Sequence, residues 1–169
     1  DIEQTHRLSE TDEYAILSMI QQDMPSADAV ILSDYHKGML LGTLPQSIIQ
    51  SAKAHEKVVL ADFKPENSAL FRGSTLVCPN LEETEKITRI TAKEDRSNYA
   101  EMVEQLEEIM HAHYTLVTCG PQGMVSRERN GETRHITTYA REVADVTGAG
   151  DTVVAAMSLC MAKHYAHDL

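Results

Sequence analysis

The chain has 169 residues, 42% hydrophobic and 24% charged, the size and composition of one ordinary globular domain, which excludes disorder throughout. Its 26 acidic residues against 15 basic ones give a net charge of -11. That charge repels phosphate backbones and anionic lipid, so neither nucleic acid nor a membrane surface is expected as a partner, whereas a small anion held by a local nest of amides is still allowed.

The predicted elements alternate. Leu17, Ile20 and Met24 share a helical face before Pro25. Ala29 to Leu32 is a short apolar run of the kind found in buried strands, followed by the loop Asp34 to Gly38. A helix is expected over 44–55, with Pro45 tolerated in its first turn. Val58 to Ala61 is a second strand, closed by Asp62-Phe63-Lys64-Pro65, and 74–78 a third, closed by Pro79-Asn80. A helix opens near Leu81. A longer one covers about 97–111, with Tyr99, Met102, Val103, Leu106, Ile109 and Met110 forming one core-facing stripe. A fourth strand over 114–119 precedes two more, 124–129 and 133–138, which flank the hairpin signal Asn130-Gly131. The last helix is expected from Asp151 to about Lys163. Strands separated by helices imply an α/β fold with a mostly parallel sheet covered on both faces. Ligands of such sheets bind beyond the carboxyl ends of the strands, where the polar clusters lie here.

No apolar run approaches the roughly 20 residues of a membrane span, and Asp1-Ile2-Glu3 lacks the start of a signal peptide. Cys78, Cys119 and Cys160 are widely spaced and in apolar segments, which reads as buried thiols in a reducing compartment such as the cytoplasm. The eight histidines show no metal-binding spacing; His111 and His113 read as helix-end residues and His164 and His167 as solvated.

The most informative segment is Asp145-Val146-Thr147-Gly148-Ala149-Gly150-Asp151. Its glycines let the backbone turn sharply and converge successive amides, and the following helix adds its dipole, so Gly148, Ala149 and Gly150 form an anion hole with Asp151 at its lip. A carboxylate there can take the proton of a hydroxyl attacking phosphorus while the amides stabilise the charge that develops. For a bare Gly-x-Gly the alternative is a tight turn with Asp151 as a helix cap.

The whole string resembles the C-terminal signature of the ribokinase-like (PfkB) carbohydrate kinases. The resemblance implies Asp151 as catalytic base and the Gly148-Ala149-Gly150 amides as the anion hole. Ser33-Asp34-Tyr35-His36-Lys37-Gly38, Asp62-Phe63-Lys64, Cys78-Pro79-Asn80-Leu81-Glu82-Glu83 and 117–124 follow in the same order as in the bacterial heptose 7-phosphate kinases, which are often fused to an adenylyltransferase. Two departures stand out: the family's Asp-Pro-Lys has Phe63, and its Ser-Asp-Tyr-Ala-Lys-Gly has His36.

The resemblance implies a ribokinase-like fold and ATP-dependent phosphorylation of a sugar hydroxyl. The acceptor it points to is O1 of D-glycero-D-manno-heptose 7-phosphate, giving the 1,7-bisphosphate used for ADP-heptose and the lipopolysaccharide core. It places Asn80, Leu81, Glu82 and Glu83 at the ATP phosphates. Asn80 and Glu83, a helical turn apart, can also reach Mg²⁺ through water, since Mg²⁺ keeps several waters; their alternative is an N-cap with first-turn acids. Lys64 neutralises a phosphate or is a surface lysine, and Asp62 orients it or closes a turn. Asp34 and Lys37 face the sugar phosphate or the nucleotide, or neither. Thr118, Gly120 and Gly123 resemble the family's nucleotide-side loop, or make a plain turn.

The resemblance also implies a longer protein. This chain would be the C-terminal, nucleotide-binding part of a kinase domain, without the N-terminal sugar and lid region or the final helices, and the complete protein is expected to be a homodimer. A binding module without turnover is the alternative. A nucleotide-dependent oxidoreductase fits less well, because the first strand is not followed by Gly-x-Gly-x-x-Gly.

Overall fold

The computed structural model describes residues 7–137 and 148–163. The expectations placed on Asp1-Ile2-Glu3, Thr138, Asp145-Val146-Thr147, His164 and His167 lie outside the described residues. Helix α1 (Glu10–Asp23) leads through a 3-10 turn into strand β1 (Ala29–Ser33). Next come α2 (Leu44–Ala54), β2 (Val58–Asp62), a 3-10 segment (Pro65–Phe71), β3 (Leu76–Val77), α3 (Leu81–Thr88) and α4 (Tyr99–Met110). β4 (Tyr114–Thr118), a short 3-10 turn, β5 (Met124–Glu128), β6 (Thr133–Ile136) and α5 (Ala149–Ala162) complete the described fold.

The strands lie in one sheet in chain order, β1 to β6. β1 to β4 are parallel, and β5 and β6 are antiparallel additions to β4. The side-chain alternation divides the apolar runs between two layers. Leu32, Val59, Ala61, Val77, Val117 and Val125 face the main core built with α2 and α4. Leu60, Leu76 and Leu116 face a smaller cluster with Val154 and Met161 of α5. This is why the strands read as continuous hydrophobic runs: helices cover both faces.

The stripe on α4 is buried as expected, Ile109 only in part. β3 is shorter than predicted. Ser74 bonds back to Phe71 O through its hydroxyl, and the Thr75 hydroxyl takes the Val59 N–H that a backbone carbonyl would otherwise accept. Cys78 N still donates to Ala61 O, so the chain stays on β2 past the formal strand end. Cys160 departs from the buried-thiol expectation: Cys78 and Cys119 are buried, but Cys160 is exposed on α5. That helix is apolar nearly all round, yet only Val154, Ser158 and Met161 are buried, while Leu159 is 66% exposed. Burial raises the Cys78 thiol to about 12 and the Cys119 thiol above its ordinary range. Among the described residues no helix is long and apolar enough to cross a membrane.

Candidate active site

Parallel strands bring their carboxyl ends to one edge, and the register sets what meets there. Ser33 pairs with Asp62, so the next residue, Asp34, donates its backbone N–H to Asp62 O at 2.8 Å. The Asp34 carboxylate is buried. One oxygen accepts from His36 N at 2.9 Å and the other from Asn67 Nδ2 at 2.6 Å. His36 adopts a left-handed backbone with φ of 57°, and its Nδ1 stands 3.2 Å from the same Asn67 nitrogen. Asp34, expected at the substrate, thus anchors the loop that presents Tyr35, His36 and Lys37. Lys37 is exposed. With Asp34 and Tyr35 it borders a cavity of about 610 Å³ beside β1, whose other walls include Ile16, Ile20 and Leu44.

After β2 the chain plants Phe63 in the core, where it stacks on Phe71 with centroids 5.1 Å apart. The departure from the family's proline therefore serves as an anchor, and it leaves Lys64 at the surface with its ammonium 2.8 Å from Glu83 Oε1. That bond holds Lys64 above its ordinary range, outweighing the opposite effect of burial. Glu83 belongs to the first turn of α3. There Asn80 Oδ1 accepts from Glu83 N at 2.8 Å, and Glu83 Oε2 accepts from Asn80 N at 3.0 Å, a reciprocal capping box. Both Glu83 oxygens are thus engaged. Leu81 packs against the main core, and Glu82 points out to an ion pair with Lys86.

Asp62, the last residue of β2, is electrostatically coupled to these groups. Burial first, and then the charge of Glu83, push its carboxyl upward; Lys64 pulls it down, and Asp151 and Asp34 add to the rise. This electrostatic neighbourhood joins Asp34, Asp62, Lys64, Glu83 and Asp151 across four separate chain segments. Among the described residues no group of three or more His, Cys, Asp or Glu side chains is arranged to hold a metal ion.

The loop after β4 lies beside Asn80, since Asn80 and Thr118 form an isolated parallel bridge and Thr118 N donates to Pro79 O. Gly120 and Gly123 take φ of 56° and 92°, and the open space around Gly120 leaves its backbone accessible. Tyr99 Oη donates to Gln122 Oε1 at 2.6 Å and fixes the loop from α4.

α5 opens differently from α3. Its N-cap is Gly148, with φ of 77° and no side chain to cap the first turn. The helix begins at Ala149, earlier than predicted, so Asp151 lies inside the first turn. Gly148, Ala149, Gly150 and Asp151 are all exposed. The first-turn amides of a helix have no intrahelical acceptor, and the dipole makes this end positive. Tyr35 Oη donates to Asp151 Oδ1 at 3.0 Å, joining the loop after β1 to this turn.

Sequence reasoning missed the part played by Tyr35, although it lies inside the Ser33–Gly38 motif, and overlooked Asn67. A tyrosine within an otherwise charged motif was the available signal for the first. Nothing local marks Asn67.

Comparisons with known proteins agree with this arrangement. The family model described as pfkB family carbohydrate kinase matches residues 6–167. The chain is 37% identical over 150 residues to the bifunctional protein HldE of Rhodopseudomonas palustris strain BisB18, covering 89% of this chain and 30% of that protein. It is 36% identical over 165 residues to HldE of Wolinella succinogenes, covering 98% of this chain and 34% of that protein. The chain therefore spans about a third of the length of these relatives. Among solved structures, the tetrameric inhibited form of phosphofructokinase-2 from Escherichia coli superposes with a TM-score of 0.79 at 17% identity, over 94% of this chain and 52% of that one. Arabidopsis thaliana ribokinase complexed with ribose and ATP gives 0.67 at 18% identity, over 93% and 47%. These two likenesses establish the ribokinase-like fold. The chain belongs to the pfkB family of carbohydrate kinases.

Proposed function

We propose that the gene product carrying this chain transfers the γ-phosphoryl group of ATP to a sugar hydroxyl, and that its acceptor is O1 of D-glycero-D-manno-heptose 7-phosphate. The observation that carries the reading is the open start of α5: a glycine N-cap without a side-chain cap, and a carboxylate in the first turn. In this reading Asp151 takes the hydroxyl proton as the oxygen attacks phosphorus. The amides following Gly148 stabilise charge on the transferred group, the role of preorganised donors in phosphoryl transfer. Lys64 neutralises a phosphate as a point charge, exchanging its bond to Glu83 for one to the nucleotide.

The oxygen-bearing pair Asn80 and Glu83 suits a hydrated Mg²⁺, and Asp62, raised first by burial and then by the charge of Glu83, lies in the same electrostatic neighbourhood. When Lys64 turns to the nucleotide, Glu83 Oε1 is released while Oε2 stays bonded to Asn80 N, and the freed oxygen would reach such an ion through a water of its shell. Mg²⁺ bound with ATP would neutralise charge between the phosphates. The heptose acceptor is supported by the order of the motifs and by the similarity to HldE proteins.

Turnover with ATP and a panel of sugar phosphates tests the reading on the complete gene product. Asp151→Asn is expected to lower kcat about a thousandfold, within the usual range for losing a general base. Wild-type turnover in that variant would remove Asp151 from the chemistry. The alternative is a nucleotide-binding module without turnover. Calorimetry with Mg²⁺-ATP on the 169-residue chain, beside a turnover assay, separates the two.

A further inference from the structure

Tyr35 is 58% exposed, yet its position is tightly determined. The residue before it, Asp34, is held at three points: by Asp62 O, by His36 N and by Asn67 Nδ2. The residue after it, His36, is locked in a left-handed backbone between Asp34 and Asn67. A surface tyrosine does not require such a frame. Its hydroxyl points at one atom, Asp151 Oδ1, 3.0 Å away and 116 residues along the chain. The other carboxylate oxygen, Oδ2, lies toward Gly148, 4.0 Å from where a β-carbon on that glycine would stand.

We propose that Tyr35 is a positioning residue for the carboxylate of Asp151, holding Oδ1 so that Oδ2 faces the amides at the start of α5 and receives the acceptor's proton. The inference rests on the kinase reading above and adds to it the identity of the accepting oxygen. In the step, the sugar oxygen forms a bond to the γ-phosphorus and the bond from that phosphorus to the bridging oxygen of ADP breaks. The hydroxyl proton passes to Oδ2, and the electron pair of the broken bond leaves with ADP. Tyr35 donates its hydrogen bond throughout and gives up no proton.

Fixing a group that acts in the transition state alters kcat more than KM. In the complete gene product, Tyr35→Phe is expected to lower kcat about tenfold while KM for ATP and for the sugar phosphate stays within about twofold. Placing 4-aminophenylalanine at position 35, which restores a donor at the same point, is expected to recover kcat to within about threefold of wild type. In a double-mutant cycle, Tyr35→Phe added to Asp151→Asn is expected to cause no further loss, because the tyrosine acts only through that carboxylate. Circular dichroism on each variant confirms an intact fold, and the 4-aminophenylalanine protein carries the test if Tyr35→Phe unfolds.

Wild-type kcat in Tyr35→Phe would overturn the proposal. So would a loss confined to KM, or a double variant whose loss is the product of the two single losses. If Asp151→Asn retains full turnover, the kinase reading itself falls. If Asp151→Asn is inactive and Tyr35→Phe is normal, only the role of Tyr35 falls.

Discussion

Two helices begin at the same edge of the sheet and begin in opposite ways. α3 spends its first turn on itself: Asn80 and Glu83 exchange hydrogen bonds, and Lys64 closes the remaining carboxylate oxygen. α5 starts with a glycine that has no side chain to offer, and its first turn is exposed. One start is closed by side chains, and the other is open to solvent. The two N-caps differ in backbone as well as side chain, Asn80 being extended and Gly148 left-handed, and the choice of N-cap residue decides whether a side chain satisfies the first-turn donors.

The contrast breaks first at Gly148. Its φ of 77° lies where a side chain is strained, and a β-carbon there would meet Asp151 Oδ2 at 4.0 Å. Gly148→Val is expected to cost about 2 kcal/mol of stability, from forcing a branched residue into the left-handed region. By moving the amides off target it should also lower turnover about a hundredfold, comparable to losing one oxyanion donor. Thermal melting and steady-state kinetics on the same sample check both. A variant that melts early but turns over normally would show that the glycine serves only the turn.

The joint at α3 should fail in the other order. Asn80→Ala removes a side-chain cap worth about 1 kcal/mol, so the melting midpoint should fall by about 3 °C without ATP. Asn80→Asp keeps a capping oxygen and should restore the midpoint. Any turnover still missing in Asn80→Asp then measures contact between the amide and the nucleotide.

The smallest effect concerns Asp62, where the charges of both regions meet. Its carboxyl is raised in the fold by burial and by Glu83, so the fold favours its protonated form. The sign follows from linkage: the favourable contribution is complete in acid, below the ordinary aspartate range, and is lost as pH rises through the folded value. At neutral pH the ionised Asp62 therefore opposes folding. Asp62→Asn is expected to raise the melting midpoint by about 2 °C at pH 7, scaled down for a partly solvated group, and the gain should vanish below about pH 3. A gain that persists unchanged in acid would assign it to packing.

Much of this was legible in the residues. The apolar runs that became β2 and β4 are continuous because both sheet faces are covered there, whereas β1 leaves Ile31 exposed, and the stripe from Tyr99 to Met110 has helical spacing because one face of α4 is buried. The start of α5 was legible as a turn into a helix, because Gly148 supplies the left-handed residue that the turn takes. Asn80 and Glu83 illustrate a different outcome. Their spacing serves a capping box and a ligand equally well, and the structure shows the box in place. What local patterns could not carry were the long-range bonds. Asn67 reaches Asp34 across 33 residues, and Tyr35 reaches Asp151 across 116. Neither leaves a periodicity or a spacing to read. Cys160 was misjudged for a related reason: an apolar helix looks buried all round until the width of the layer it covers is known.

The bond between Tyr35 and Asp151 also sets a timetable. A ribosome adding about 5–20 residues per second makes Asp151 roughly 6 to 23 seconds after Tyr35. Once residues through Asn67 are made, the nascent chain can pair β1 with β2 and close the loop on Asn67, but the tyrosine has nothing to hold. The two halves of the site meet only when the last described helix docks on a sheet already built. Formation of this bond is thereby coupled to completion of the layer beneath it, and a chain ended before α5 would carry the frame around Tyr35 without the carboxylate it meets.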